Sequence, residues 1–394
     1  MESWDFAPTA SNVLQFCDLF EGEGRRIVVS LLGGAGISGG NGGFGGGGGG
    51  LGGGGAVFVR QGATLLITDG AMSGGSAVGG SGADGGGDGM GIGSAIFLAG
   101  SATYSVSGGN TVTIADSIGG GTDSQITGGF TKSGAGTLAL SAANSFTGGT
   151  QINGGTLQAN TTGSGNSATS SGPVTINSGA VLAGGATTLA TAGQVLPTGA
   201  NTITVGNGGT ITAGTGATAT DTPGVLKTTS QTWSTGGTFV WKLNLAGTYG
   251  TSYVNSAASS NTSIAGDMDA LLMSSLSQST GSNVSLVGQG TNNLTFGATY
   301  RFAIANLVIG TFNLADFNTN ANFALAQEVD AGLSSSTNSG VDAELNGGSG
   351  EDLILTYTPT PEPTSLLLGG LAVAPLMLAR RRRKSAEVDV SKPN

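Results

Sequence analysis

Asp267 and Asp269 stand two residues apart, and they are the carboxylate pair in this chain that most invites an acid–base reading. Glycoside cleavage needs two carboxyl groups about 5 to 9.5 Å apart, one of them keeping its proton through a raised pKa. Residues 267–273 read as a short helix or apolar turn, and on one short segment the two aspartates fit better as caps of the following turn at 270–276. The chain has 394 residues, no histidine, and one cysteine, Cys17. That removes the imidazole base of Ser-His-Asp and Cys-His catalysis. It also removes a His/Cys zinc centre and any disulfide framework.

Three weaker motifs remain. Gly34-Ala35-Gly36-Ile37-Ser38-Gly39 matches G-x-G-x-x-G after the apolar run 27–32. A dinucleotide site needs a helix next, and Gly40, Asn41, Gly42 and Gly43 cannot propagate one. Residues 79–84 fit the first six places of the calcium-binding nonapeptide, but the apolar eighth place is Gly86 and no tandem copy follows. Asp84 and Asp88 therefore read as loop residues. Trp233 and Trp241 offer faces for a sugar, and equally the large rings of a strand core. Lys132, Lys227, Lys242 and Arg301 are the only basic residues between Gly62 and Arg380, too scattered for a lyase site. The expectation is a chain with no catalytic residues, no cofactor and no metal.

Composition says what frame would carry these residues. Glycine accounts for 77 positions and charged residues for 9%, against roughly 25% charged in an ordinary soluble domain. Net charge is −10, and residues 1–379 hold 7 basic against 21 acidic residues, or −14. Such a body is a poor partner for phosphate backbones, so no nucleic-acid binding is expected. Low charge with 38% hydrophobic residues is also unlike a disordered polyelectrolyte. An extended all-β protein outside the cytoplasm fits best.

Repeats organise the chain. Residues 55–59 through 63–65 recur 39 residues later as 94–98 through 102–104. Ile152-Asn153-Gly154-Gly155-Thr156-Leu157 is echoed at 176–181 and again, one residue longer, at 205–211. Alternate β-branched or Leu side chains can point inward, and Asn or Gly permits a positive φ at the corner. Gly136-Thr137-Leu138 and Gly155-Thr156-Leu157 lie 19 residues apart, near one solenoid coil. Stacked coils share one core that no single coil could bury.

The segment 130–160 reads Phe130-Thr131-Lys132-Ser133-Gly134-Ala135-Gly136-Thr137-Leu138, then Asn144-Ser145-Phe146-Thr147-Gly148-Gly149-Thr150, then Gly154-Gly155-Thr156-Leu157. It resembles the autotransporter-associated β-strand repeat, which implies a β-helical, passenger-type stalk. The end of the chain has no series of alternating membrane strands, so no translocating barrel is expected. Residues 233–357 resemble the membrane-proximal part beside such repeats.

The C-terminus is tripartite. Pro361, Glu362 and Pro363 end a rigid spacer, residues 364–379 are apolar, and Arg380, Arg381, Arg382 and Arg383 follow. Sixteen residues make a helix of about 24 Å, marginal against a hydrocarbon core of about 30 Å. The arginines should stay cytoplasmic and leave the body on the far side. This tail resembles the PEP-CTERM sorting signal. The resemblance implies recognition by an exosortase-type membrane protease and transient residence in the inner membrane. Delivery to the cell surface or an extracellular, polysaccharide-containing matrix follows. It also implies an N-terminal secretion signal, which the acidic residues 1–26 do not show, so a truncated or wrongly started reading frame is expected.

The expected architecture is a right-handed parallel β-helix with a terminal β-domain and one short C-terminal transmembrane helix. Residues 1–54 would be irregular and glycine-rich, 55–222 solenoid and 223–358 a terminal β-domain or cap. Residues 359–384 would be the sorting signal, with 364–379 in the membrane, and 385–394 a cytoplasmic tail. The expected function is a non-catalytic structural or adhesive surface protein, the alternative a polysaccharide-binding or polysaccharide-cleaving β-helix.

Overall fold

A computed structural model describes residues 31–32, 48–83, 85–121, 128–163, 166–169, 171–185, 192–195, 201–247, 249, 253–255, 267–290, 293–307, 311–318, 323–329 and 351–359. Short strands of two to eight residues dominate, as glycine-punctuated alternation dictates. They stack into a parallel solenoid. A first sheet of nine strands runs in chain order from Leu31–Leu32 through Thr137–Leu140, Gly155–Ala159 and Ala180–Gly184 to Asn283–Gln289. A second sheet of eight runs from Thr64–Thr68 through Phe130–Ser133, Thr150–Ile152 and Val174–Ile176 to Ser275–Gln278.

A third side carries Val57–Val59, Ile96–Leu98 and Ile118–Gly120 early, and Gly193–Val195, Val225–Thr228 and Ala270–Met273 later. Between them the backbone ladder continues without regular strands. Ser145 N–H donates to the Ile118 carbonyl, Asn144 N–H to Ser167 and Ala168 N–H to Gln194. The parallel stacking passes residue 223 without a break, since Thr210–Thr212 pairs with Thr238–Asn244 and that strand with Asn283–Gln289.

The core consists of columns. Val112, Leu138, Leu157, Leu182, Ile211, Phe239 and Val284 occupy one register line of the first sheet, and all are buried. The 19-residue spacing is one coil, because Thr137 pairs with Thr156 and Leu138 with Leu157. The other repeats mark adjacent coils with small slips. Val57 pairs with Ile96, 39 residues on, but Thr64 pairs with Ser101, 37 on. Ile67, not Leu65, therefore stacks on Tyr104, and an even slip keeps every side chain on its face. Leu157 stacks on Leu182 rather than Val181, since the intervening corner takes up one extra residue.

Corners between the second and first sheets use glycine with positive φ: Gly109, Gly134, Gly179, Gly208, Gly236 and Gly281 lie between +71° and +88°. Three of these corners bond directly to the next coil, with Gly179 N–H donating to Gly208, Gly208 to Gly236 and Gly236 to Gly281.

The stretch 267–273, expected as a short helix or apolar turn, instead carries the strand Ala270–Met273, buried at all four residues. An apolar run buried on both faces carries no alternation to tell the two apart. Tyr300–Leu307 is one continuous strand. This strand ends the parallel stack. Glu351–Tyr357 pairs with it antiparallel, and Phe323–Val329 pairs antiparallel with Glu351–Tyr357. Among the described residues no helix is long and apolar enough to cross a membrane. The segment 364–379 lies outside the described residues.

Two corner glycines separate backbone strain from steric clash. Gly179→Ala adds a carbon that meets nothing within 4 Å, at φ +74°, and should cost about 1–2 kcal/mol. Gly134→Ala, at φ +72°, would place its Cβ 2.3 Å from the Val106 carbonyl and should cost more. Urea midpoints of the two variants check the order.

Candidate functional site

The coil at 130–159 holds the most specific motif, and its large, amide and glycine residues have packing roles. Phe130 and Phe146 are buried with ring centroids 6.0 Å apart. Asn144 spans coils: its Oδ1 accepts from Ile118 N–H at 2.7 Å and its Nδ2 donates to Ala168. Gly148 lies so close to the coil below that an added Cβ would sit 2.2 Å from the Gly128 carbonyl. Gly155, at φ +59°, is equally close to Gly136. Leu138, Leu140 and Leu157 fill the interior.

Lys132 is the unexpected member. Alternation from Phe130 turns it inward, and it is fully buried in line with Tyr104 and Ile152. Its Nζ donates to the Ser133, Gly134 and Gly154 carbonyls at 2.8, 2.9 and 2.9 Å. The amine thus clamps its own corner to that of the next coil. Burial pushes its pKa down from 10.5 to about 8.

A second buried lysine, Lys242, sits about six-tenths of the way along the chain. Lys242 Nζ donates to Asp269 Oδ2 at 2.7 Å, with both side chains wholly buried. The same Nζ reaches Thr212 Oγ1 and the Ala213 and Gly216 carbonyls at 2.6–2.8 Å. Asp269 also accepts from Gly224 N–H and Lys242 N–H at 2.9 and 3.0 Å. Burial raises the Asp269 pKa to about 6, while Lys242 and the backbone donors pull it back. Asp269 is therefore a strut, not the cap expected of it. Asp267 is apart from this cluster and accepts from Asn244 Nδ2 at 2.7 Å.

Trp233 and Trp241 are core residues, 1% and 0% exposed, and no sugar can stack on them. Trp233 Nε1 donates to Gln231 Oε1 and Trp241 Nε1 to the Asp269 carbonyl. Trp241 and Tyr249 pack on Phe302 with centroids 5.3 and 5.5 Å away. Asp88 accepts from Gly82 N–H in a loop. Among the described residues no three His, Cys, Asp or Glu side chains converge. Residues 34–39, Asp84, Pro361, Glu362, Pro363 and Arg380, Arg381, Arg382 and Arg383 lie outside the described residues.

The family model of the passenger-associated-transport-repeat matches residues 130–159. The matched stretch begins at Phe130 and covers the Lys132 corner clamp, the Asn144 rung and the Leu157 column. The chain is thus similar to this repeat over one coil of its parallel stack. No curated protein matches it.

In the sequence Lys132 reads as one scattered cation, and its parity with Phe130 is the signal of its burial. Lys242 was not accessible that way. It has the opposite parity to Phe239 and Trp241 and is buried because residues 212–216, 224 and 269 cover that face.

The lysines carry two predictions. Between about pH 8 and 10.5 the unfolded chain keeps the Lys132 proton that the folded chain has lost, so the unfolded state binds more protons. Stability should rise with pH across that window, and Lys132→Met should abolish that increment when denaturation curves of both proteins are compared at pH 7.5 and 10. Asp269→Ala strands a buried ammonium and should cost about 3–5 kcal/mol. The double variant Lys242→Met/Asp269→Asn keeps an acceptor for Gly224 N–H and should recover at least half of that loss, read from urea midpoints.

Proposed function

We propose that this chain is an exported, non-catalytic structural or adhesive protein of the bacterial surface or extracellular matrix, sorted and processed through its C-terminal signal. The observation that carries the reading is the match at 130–159 lying within an uninterrupted parallel stack. A rod whose Phe130, Lys132, Leu138, Asn144, Phe146 and Leu157 are spent on packing suits a spacer, one that holds something away from the cell. The tail supports sorting by sequence: a Pro-Glu-Pro spacer, an apolar run of sixteen residues and four arginines. An exosortase-type protease would cut near Pro361, Glu362 and Pro363, after Arg380, Arg381, Arg382 and Arg383 had held the segment in the inner membrane. Extracellular polysaccharide is the matrix partner in this reading.

Export of a tagged chain, with a secretion signal fused ahead of Met1, in a bacterium carrying an exosortase tests it. The expected outcome is surface or medium localisation with loss of the tail by mass spectrometry. Full-length protein left in the inner membrane would count against it. Incubation with acidic glycans should release no reducing ends, and turnover abolished by Asp267→Ala would overturn the non-catalytic reading.

A further inference from the structure

The Lys242–Asp269 pair holds a nucleophile against an electrophile inside the rod. Nζ lies 2.7 Å from Oδ2, and both side chains are wholly buried. The two backbones are pinned as well. Asp269 N–H donates to the Lys242 carbonyl at 3.0 Å, and Leu243 and Met268 form an antiparallel bridge. Trp241 adds a third tie, its Nε1 donating to the Asp269 carbonyl at 2.8 Å.

The groups around the pair are those a condensation needs. Thr212 Oγ1 accepts from Lys242 Nζ at 2.8 Å and donates to Asp269 Oδ2 at 3.3 Å. That hydroxyl is a path for a proton from the amine to the carboxyl oxygen. Gly224 N–H donates to the other oxygen, Oδ1, at 2.9 Å, where negative charge gathers when Cγ becomes tetrahedral. Burial favours the neutral acid and raises the Asp269 pKa to about 6 against the pull of Lys242. Lys132 is the contrast within the same rod. Its buried Nζ donates to the Ser133, Gly134 and Gly154 carbonyls, and none of these is a carboxyl group.

We propose that Lys242 and Asp269 condense into an intramolecular amide, a covalent staple between the first sheet and the third side. The ion pair is the state from which it forms. Nζ passes one proton to Oδ2. Its lone pair then forms the Nζ–Cγ bond, and the carbonyl electrons move to Oδ1. A second proton travels through Thr212 Oγ1 to Oδ2, the Cγ–Oδ2 bond breaks, and one water leaves. No oxidant, reductant or further reactant is consumed. Groups held in one geometry react as a unimolecular pair, and a buried site opposes the return of the water. The product keeps its hydrogen bonds. The amide N–H retains the Gly216 carbonyl, 2.7 Å from Nζ, the Thr212 hydroxyl turns to the Ala213 carbonyl at 3.2 Å, and Oδ1 retains Gly224 N–H. The Lys242 backbone N–H must turn from Oδ2 to Oδ1, the one adjustment the product requires. The staple closes residues 242–269 into a ring, so a pull along the rod bypasses them.

Mass spectrometry of the purified full-length chain tests this. The unaltered chain should weigh one water less than its sequence. Trypsin cuts after lysine and arginine, and Lys227, Lys242 and Arg301 are successive sites. With the Lys242 amine acylated, fragment 228–301 should appear uncut and one water light, with residues 242 and 269 joined in its fragmentation spectrum. Cleavage after Lys132 should be normal. Lys242→Arg keeps a cation beside Asp269 and should restore both the full mass and the cut. Thr212→Val should slow the condensation on the order of a hundredfold, the lower end of what a positioned proton carrier contributes, and Thr212→Ser should restore it. Full sequence mass in the unaltered chain, with cleavage after Lys242, would overturn the staple. A missing water mapped to any other pair would overturn it too, and undiminished condensation in Thr212→Val would overturn the route through Thr212. None of these results bears on the sorting reading, which fails or stands on its own.

Discussion

Each coil exposes its strand N–H and C=O groups to the coils before and after it, and a buried backbone group left without a partner costs about 1–3 kcal/mol. The whole molecule answers that constraint. Register-locked parallel pairing supplies the partners, and it forces like positions to sit on top of one another at about 4.8 Å. Any charge repeated on an outward column would repel its copies at that spacing. The outward line Thr103, Thr131, Gln151, Thr175, Thr204 and Thr232 is uncharged throughout. The same constraint explains the glycine. Where corners stack, a side chain would strike the carbonyl of the neighbouring coil, as the 2.2 Å approach at Gly148 shows. Low charge and high glycine are thus two consequences of one ladder.

Two lysines enter this interior because the ladder itself creates acceptors. A corner turns carbonyls inward, and Lys132 donates to three of them with one ammonium, the Ser133 carbonyl accepting from Val106 N–H as well. It needs no carboxylate, and burial leaves its pKa depressed. Lys242 stands where the third side folds over the first sheet, and there the acceptors include Asp269. Asp269 in turn ties Gly224, Thr212 and the Lys242 backbone together, three segments far apart in sequence. A buried ion pair contributes little net stability against an apolar replacement, yet removing one partner is costly. Its value lies in fixing which segments meet.

The ladder was readable from sequence wherever repeats were short and in register. The 19-residue spacing of Leu138 and Leu157 translated directly into paired strands. It became less readable where corners absorb residues, because a loop can gain one or two positions without disturbing the strands it joins. Thus Leu65 was aligned where Ile67 sits, and Val181 where Leu182 sits. The stretch 267–273 failed for a different reason. Four consecutive buried positions have neither a period of 2 nor one of 3.6, and the preceding aspartates pointed toward a cap. Only the third side, which covers Ala270–Met273, decides between the two. The Asp269 strut was illegible because its partners, Thr212 and Gly224, are remote in sequence and belong to no motif.

A parallel stack also needs an ending, since its last coil would otherwise present open edges to any other strand. At the second sheet's end the residues 313–318 fold back, with Gly281 and Ser282 N–H groups donating to the Asp316 carbonyl and Asn318 N–H to Ser282. At the third side the direction reverses instead. Tyr300–Leu307 accepts an antiparallel partner through an irregularity between Ala303 and Ala305, and an antiparallel strand cannot serve as the template for a further parallel coil. Glu351–Tyr357 is itself paired on both edges, by Tyr300–Leu307 and by Phe323–Val329, so the strand that caps the parallel stack is held by two antiparallel ladders and cannot be lifted without opening both.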